Sequence, residues 1–182
     1  MNDIANNNWL DRSTRERLAA DFASRVQFDE PMARHTSWHV GGPADLYFEP
    51  RDRSDIAAFL AAVPAGAPLH WVGLGSNLLV RDGGIRGAVI ALHGALSTLE
   101  RREDGEVWCE AGVPCARIAR QCARWGLRDA HFFAGIPGTL GGALAMNAGA
   151  FGGETWLQVS RVETVDAAGV VRERPTAEYR TG

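Results

Sequence analysis

Seven glycines fall within the nineteen residues Gly135–Gly153, and of the others only Thr139 and Asn147 carry a hydrogen-bonding side chain. A glycine inside a helix or strand costs about 0.5–1 kcal/mol relative to alanine. So dense a cluster therefore marks backbone that must approach something closely or turn where other residues resist turning. Its chemistry is mostly main-chain N–H and C=O, a surface suited to a flat, polar-edged ring or a phosphate chain. An earlier loop, Gly73-Leu74-Gly75-Ser76-Asn77-Leu78, repeats the theme. It puts main-chain N–H groups and two side-chain donors around a tight turn, as a pyrophosphate requires. The residues are neither G-x-G-x-x-G nor G-x-x-x-x-G-K-S/T, which excludes a Rossmann fingerprint and a Walker P-loop. Standing alone, the loop reads equally well as a glycine-rich turn between buried strands.

At 182 residues the chain has enough length for one domain or two small ones sharing an interface, and a domain near 150 residues buries about 68–70% of its unfolded surface. Hydrophobic residues at 46% and charged residues at 23% are globular proportions, which argues against disorder. A net charge of −3 gives no general attraction for nucleic acid or an anionic membrane, so a phosphate site has to be built locally. Cys109, Cys115 and Cys122 are odd in number and lack C-x-x-C spacing, which points away from a disulfide framework or a zinc site and towards small buried thiols in a reducing compartment. Five scattered histidines form no i, i+4 pair with a neighbouring acid, so no metal is expected. No apolar run approaches eighteen residues and the N-terminus lacks a basic and apolar leader pattern, which predicts a cytoplasmic protein with no membrane partner. Nothing in the residues fixes an oligomeric state.

Residues 1–8 are polar and Asn-rich and read as disordered. The apolar spacing of Leu18, Phe22 and Val26 predicts a helix over Ser13–Arg25 with a capping box at Ser13. Pro31–Asp45 has no period and reads as a shaped loop, followed by a strand at Leu46–Pro50. Ser54 is placed as the N-cap of a helix carrying Ile56, Phe59, Leu60 and Val63. Strands are expected at Leu69–Val72, Ala88–Leu92 and Val107–Ala111, then a helix opened by Pro114 and closed by Gly126. A hairpin is expected from Val159 to Glu173 with its turn at Ala167-Ala168-Gly169. Short strands and helices alternating with structured loops predict an α+β fold. Three segments are expected: a tail and helix at 1–30, then subdomains at 31–98 and 99–182, divided where the chain turns charged after residue 98.

Three stretches together resemble the UDP-N-acetylenolpyruvoylglucosamine reductases, the MurB family: Thr36–Asp45 (TSWHVGGPAD), Gly73–Gly87 (GLGSNLLVRDGGIRG) and Gly135–Glu154. The resemblance spans roughly Pro31–Gly182 and implies a vanillyl-alcohol-oxidase-type domain of two α+β subdomains with FAD held non-covalently between them. Cofactor-binding residues implied by the matching positions are Gly73, Leu74, Gly75, Ser76, Asn77 and Leu78 at the pyrophosphate, and Gly135, Ile136, Pro137, Gly138, Thr139, Gly141, Gly142, Asn147 and Gly149 at the flavin end. Asn147 reads either as a ligand contact or as a fixer of its own loop. The family's reaction takes electrons from NADPH through FAD to the enolpyruvyl group of a UDP-sugar during peptidoglycan precursor synthesis. Its catalytic serine, acid and Tyr-Arg pair find no counterpart here; in the family's register that pair falls just beyond Gly182, which makes Tyr179-Arg180 a look-alike and the chain a fragment inactive by itself. Other readings are a flavin oxidase or dehydrogenase of a small hydroxy acid, and a non-catalytic nucleotide-binding module.

Overall fold

The computed structural model describes residues 9–180. The disorder expected for residues 1–8 lies outside them. Helix α1 (Arg12–Phe22) begins one residue earlier than expected and is capped by Asp11, not by a box at Ser13. The Asp11 carboxylate accepts from the Thr14 N–H at 2.8 Å, a stronger arrangement than a hydroxyl because the anion also faces the positive end of the helix dipole. The same substitution of roles recurs at α2 (Arg53–Ala62). Asp52 caps it by accepting from Asp55 N–H at 2.9 Å, and Ser54 only donates to Asp52.

Strands β1 (Val26–Pro31), β2 (Pro43–Phe48), β3 (Leu69–Val72) and β4 (Ile85–Ala91) form one sheet in the order β1-β2-β4-β3, with β1 antiparallel to β2 and the other pairs parallel. Strand β4 is interior, and its continuous apolar run is the expected signature of burial on both faces. Ala88, Ile90 and Leu92 join α1 and α2 on one side, while Val89 and Ala91 meet Met32, Ala44, Tyr47 and Val80 on the other. A bulge between Ala44 and Leu46 shifts the β2 register, so Ala44 and Tyr47 share a face while Leu46 and Phe48 share the opposite one. Strand β1 escaped sequence reading because Val-Gln-Phe-Asp-Glu-Pro neither alternates cleanly nor runs apolar. It is an edge strand, where a terminal proline costs no interior ladder bond.

Asp55 is the electrostatic fixture of α2. Hydrogen bonds from the Arg51 side chain and backbone, joined by the Arg25 guanidinium, hold its carboxyl at about 2 against an ordinary 3.8. A depressed folded-state value contributes stability above about pH 4 that disappears as the pH falls towards 2. The denaturation midpoint should therefore decline across that window, and Asp55→Asn should flatten the decline while lowering stability at neutral pH; urea melts at several pH values read both effects.

The remaining elements gather on a second cluster. Helix α3 (Cys115–Arg124) buries Cys115, Ile118, Ala119 and Cys122 against Val113, Phe132, Phe133, Ile136 and Ala143. Pro114 stands at the N-cap and Gly126 (φ +77°) follows the C-cap. The hairpin of β5 (Leu99–Arg101) and β6 (Val107–Cys109) packs on this cluster, while the hairpin of the strands Arg161–Val165 and Val171–Pro175, whose turn falls at Gly169 as expected, sends Val165 to the first cluster. Burial pushes the Cys109 thiol up to about 12, that of Cys115 up to about 11, and that of Cys122 upward as well. No disulfide joins these cysteines. A disulfide reagent at pH 8 should therefore leave the native thiols largely unmodified and titrate three after denaturation, because thiolate is the reacting species.

Candidate functional site

The glycine stretch is not one loop. Its centre forms helix α4 (Leu140–Met146), capped at its start by Thr139 and closed by Asn147 in the left-handed conformation (φ 43°). Two short strands follow, β7 (Gly149–Ala150) and β8 (Gly153–Glu154), so the hairpin strands above are β9 (Arg161–Val165) and β10 (Val171–Pro175). Sequence reading missed α4 because two glycines open it and its seven residues leave too short a window for a helical period. The glycine at 141 lets the helix press on the chain at Ala111, whose Cβ and carbonyl would lie 3.1–3.2 Å from an added methyl group.

The two glycine loops do meet. An added carbon at Gly73 would run into the Thr139 hydroxyl, and one at Gly138 would sit in ordinary contact with Ser76 Oγ at 3.8 Å. Thr139 is buried to 1% exposure between them. Gly75 lies under the preceding segment: its φ is +64°, and an added carbon would strike the His35 carbonyl. That segment is itself anchored. Ser37 N–H donates to the Gly75 carbonyl at 3.1 Å, the His35 ring stacks on Tyr47 at 4.0 Å, and His35 Nε2 lies 2.9 Å from buried Glu30. Burial, with Glu49 and Glu30 nearby, keeps the Tyr47 phenol protonated well above its usual range.

Main-chain polarity separates the loops more sharply than composition does. In the later loop the N–H groups are spent inside the protein: Gly138 on Ile136, Leu140 on Val113, Gly141 on Ala111, Gly142 on Thr139 Oγ1. Among the described residues, none of the main-chain N–H groups from Gly73 to Val80 donates to a protein acceptor. Buried main-chain donors are almost always paired, and Gly75 is buried. A run of unspent donors on a tight, braced turn is what an anionic phosphate chain would satisfy. Glycine here serves less to clear room for a ligand than to let three pieces of backbone cross without side chains between them.

Asn147 and Gly149 lie at the far end of α4, about 10 Å of helix rise from Thr139. The Asn147 amide is engaged by its own loop, donating to Glu154 at 3.1 Å and accepting from Trp156 N–H at 3.2 Å. Gly135 and Gly149 are crossing points, against Ala150 and Phe151 and against the Gly153 carbonyl respectively. Tyr179 packs on Trp156 with ring centroids 4.8 Å apart, whereas Arg180 is exposed. No group of three or more His, Cys, Asp or Glu side chains among the described residues could hold a metal.

A family model described as an FAD binding domain matches residues 44–174. The chain belongs to the FAD binding domain family. The resemblance to the UDP-N-acetylenolpyruvoylglucosamine reductases holds as well. Over 153 residues it is 60% identical to the one from Alkalilimnicola ehrlichii, covering 84% of this chain and 51% of that protein. Against the reductase of Methylococcus capsulatus it is 51% identical, covering 94% and 56%. The crystal structure of the Thermus caldophilus reductase superposes with a TM-score of 0.71 at 30% identity, covering 86% of this chain and 54% of that one. The alkyldihydroxyacetonephosphate synthase structure gives 0.63 at 19% identity, covering 90% and 34%, and shows the fold alone. The FAD binding domain here is thus α+β, of the type expected, and the chain spans about half the length of the curated relatives it matches. The residues present fit the cofactor: unspent donors at the turn match a pyrophosphate, and no side chain at Ser76 is of the kind that links flavin covalently.

Proposed function

We propose that this chain is the FAD-holding part of a UDP-N-acetylenolpyruvoylglucosamine reductase acting in the cytoplasm, with NADPH and a UDP-sugar as its partners. The observation that carries the reading is the unspent run of N–H donors from Gly73 to Leu78, braced by His35 and Thr139, in a chain 60% identical to a reductase of that name. FAD, when bound, supplies the two-electron chemistry that joins NADPH to an enolpyruvyl double bond. The chain's own residues bind and orient it. Gly73, Leu74, Gly75, Ser76, Asn77 and Leu78 hold the pyrophosphate through main-chain N–H groups, with the Ser76 hydroxyl and Asn77 amide beside them. The segment Gly135–Gly142 and, beyond α4, the Asn147–Gly149 turn shape the flavin end. We place the subdomain boundary near residue 98, consistent with buried clusters running from Leu10 to Leu92 and from Val113 to Ala143. Tyr179 and Arg180 have no catalytic part in this reading: the tyrosine ring is committed to Trp156, and its buried hydroxyl has no hydrogen-bond partner among the described residues.

A chimera tests the activity. Residues 1–182 joined in one polypeptide to the uncovered half of the A. ehrlichii reductase should purify yellow and oxidise NADPH only when UDP-GlcNAc-enolpyruvate is added. A colourless chimera that refuses added FAD would overturn the reading, as would one that keeps FAD and oxidises NADPH equally with and without the UDP-sugar.

A further inference from the structure

A β-hairpin closed by two residues that both have positive φ is a type I′ turn, and its steric demands favour Asn-Gly, Asp-Gly or Gly-Gly. The β7–β8 hairpin is closed in this way. Gly149 pairs with Glu154 and Ala150 with Gly153, so the turn residues are Phe151 and Gly152, at φ 52° and φ 82°. Gly152 suits the turn and Phe151 does not, because a bulky side chain on left-handed backbone is a steric outlier. Among the described residues, the non-glycine positions with positive φ are Ala23, Asp29, His39, Asn147 and Phe151. Phe151 is the one large apolar side chain in that set.

Burial does not offset the strain, since Phe151 is 75% exposed. The hairpin that carries it is nevertheless fixed. Thr155 donates to the Ala148 carbonyl from its N–H at 3.1 Å and from its hydroxyl at 2.7 Å. Asn147 Nδ2 donates to Glu154 at 3.1 Å, and Gly153 lies so close to the buried Phe132 ring that an added carbon would come within 2.8 Å of it. One edge of the Phe151 ring rests on Gly135, where an added carbon would lie 2.8 Å from Cε2 and 3.2 Å from Cζ. A rigid hairpin thus holds an aromatic ring against Gly135 with most of its surface open, in a turn that another residue would close with less strain. Such a breach of local rules, with no return in folding, marks a functional position.

We infer that Phe151 is an aromatic wall of the flavin end, seated against the isoalloxazine ring of bound FAD and keeping water from it. Position and chemistry choose that occupant. Gly135 beneath the ring, Asn147 at the end of α4 and Gly149 at the base of the hairpin are all residues assigned to the flavin end by the reductase resemblance. An exposed aromatic face is complemented by another flat conjugated ring, packed offset or edge-on.

The inference rests on the reading of this chain as the FAD-holding part of the reductase. Phe151→Asn separates the wall from the turn, because asparagine suits this turn position and removes the ring. Without FAD, the 182-residue variant should keep or raise its urea midpoint. With FAD, it should bind about fivefold more weakly, within what one aromatic contact contributes, and the fine structure that a dry site gives the visible flavin band should be lost. Phe151→Tyr should restore both. Unchanged FAD affinity and an unchanged band in Phe151→Asn would overturn the inference while leaving the reading intact. A lower urea midpoint, or failure of Phe151→Asn to fold, also overturns it, since the ring would then serve folding. If the unaltered chain takes up no FAD, the reading fails and the inference with it.

Discussion

Gly75→Ala should cost the chain its flavin and much of its stability. The position needs φ +64°, and the new methyl group would strike the His35 carbonyl. Left-handed backbone alone costs a non-glycine residue about 1–2 kcal/mol. Relieving the collision means separating the Gly73–Leu78 turn from the His35–Ser37 segment, which aims the unspent N–H donors elsewhere. FAD affinity should fall at least tenfold, about 1.4 kcal/mol, and the urea midpoint should drop with it. Gly66→Ala is the control: its φ is +84° and nothing lies within 4 Å of an added carbon. It should show the backbone cost without the loss of FAD. Equal loss in both variants would mean that backbone strain, not the position of the turn, governs binding.

Phe48→Ala should have the largest effect on folding. Phe48 is fully buried on β2, stacked on Phe59 at 4.1 Å and met edge-on by Phe22 at 5.3 Å. Those three rings join α1, the sheet and α2, so a cavity there opens where all three elements pack together. Removing a large buried aromatic costs about 3–5 kcal/mol, a large share of the 5–15 kcal/mol that holds a typical domain together. Chemical denaturation of purified variants measures it. Phe48→Leu, which keeps most of the volume, should lose less than half as much.

What could be read from the residues follows from how each element is stabilised. Strand β4 declared itself because burial on both faces demands an apolar run, and α2 because its apolar stripe recurs at helical spacing. The later hairpin was legible from Gly169. Edge strand β1 was not, since Gln27 is only partly buried, Asp29 is exposed, and the buried position between Asp29 and Pro31 is taken by Glu30, which is held by His35 and gives no apolar signal. The caps moved from Ser to Asp because both residue types cap, and only the local path of the chain decides between neighbours. The glycine loops stood out by their composition, but the reasons for their glycines were not visible. Gly73 exists for Thr139 and Gly75 for His35, contacts across 66 and 40 positions that spacing along the chain cannot reveal. The division of labour between the loops was hidden for the same reason, because it depends on which N–H groups find carbonyls in the folded chain. Helix α4 was masked by the very glycines that drew attention to it.

The central claim is that FAD is held through the main-chain donors of one turn. Amide NMR spectra of the uniformly ¹⁵N-labelled chain, recorded with and without saturating FAD, address it directly. The amides of Gly73, Leu74, Gly75, Ser76, Asn77 and Leu78 should shift and exchange more slowly on binding, while Gly138, Leu140 and Gly141, whose N–H groups already have protein acceptors, should change little in exchange rate. FAD binding that leaves the Gly73–Leu78 amides exchanging as before would contradict the account.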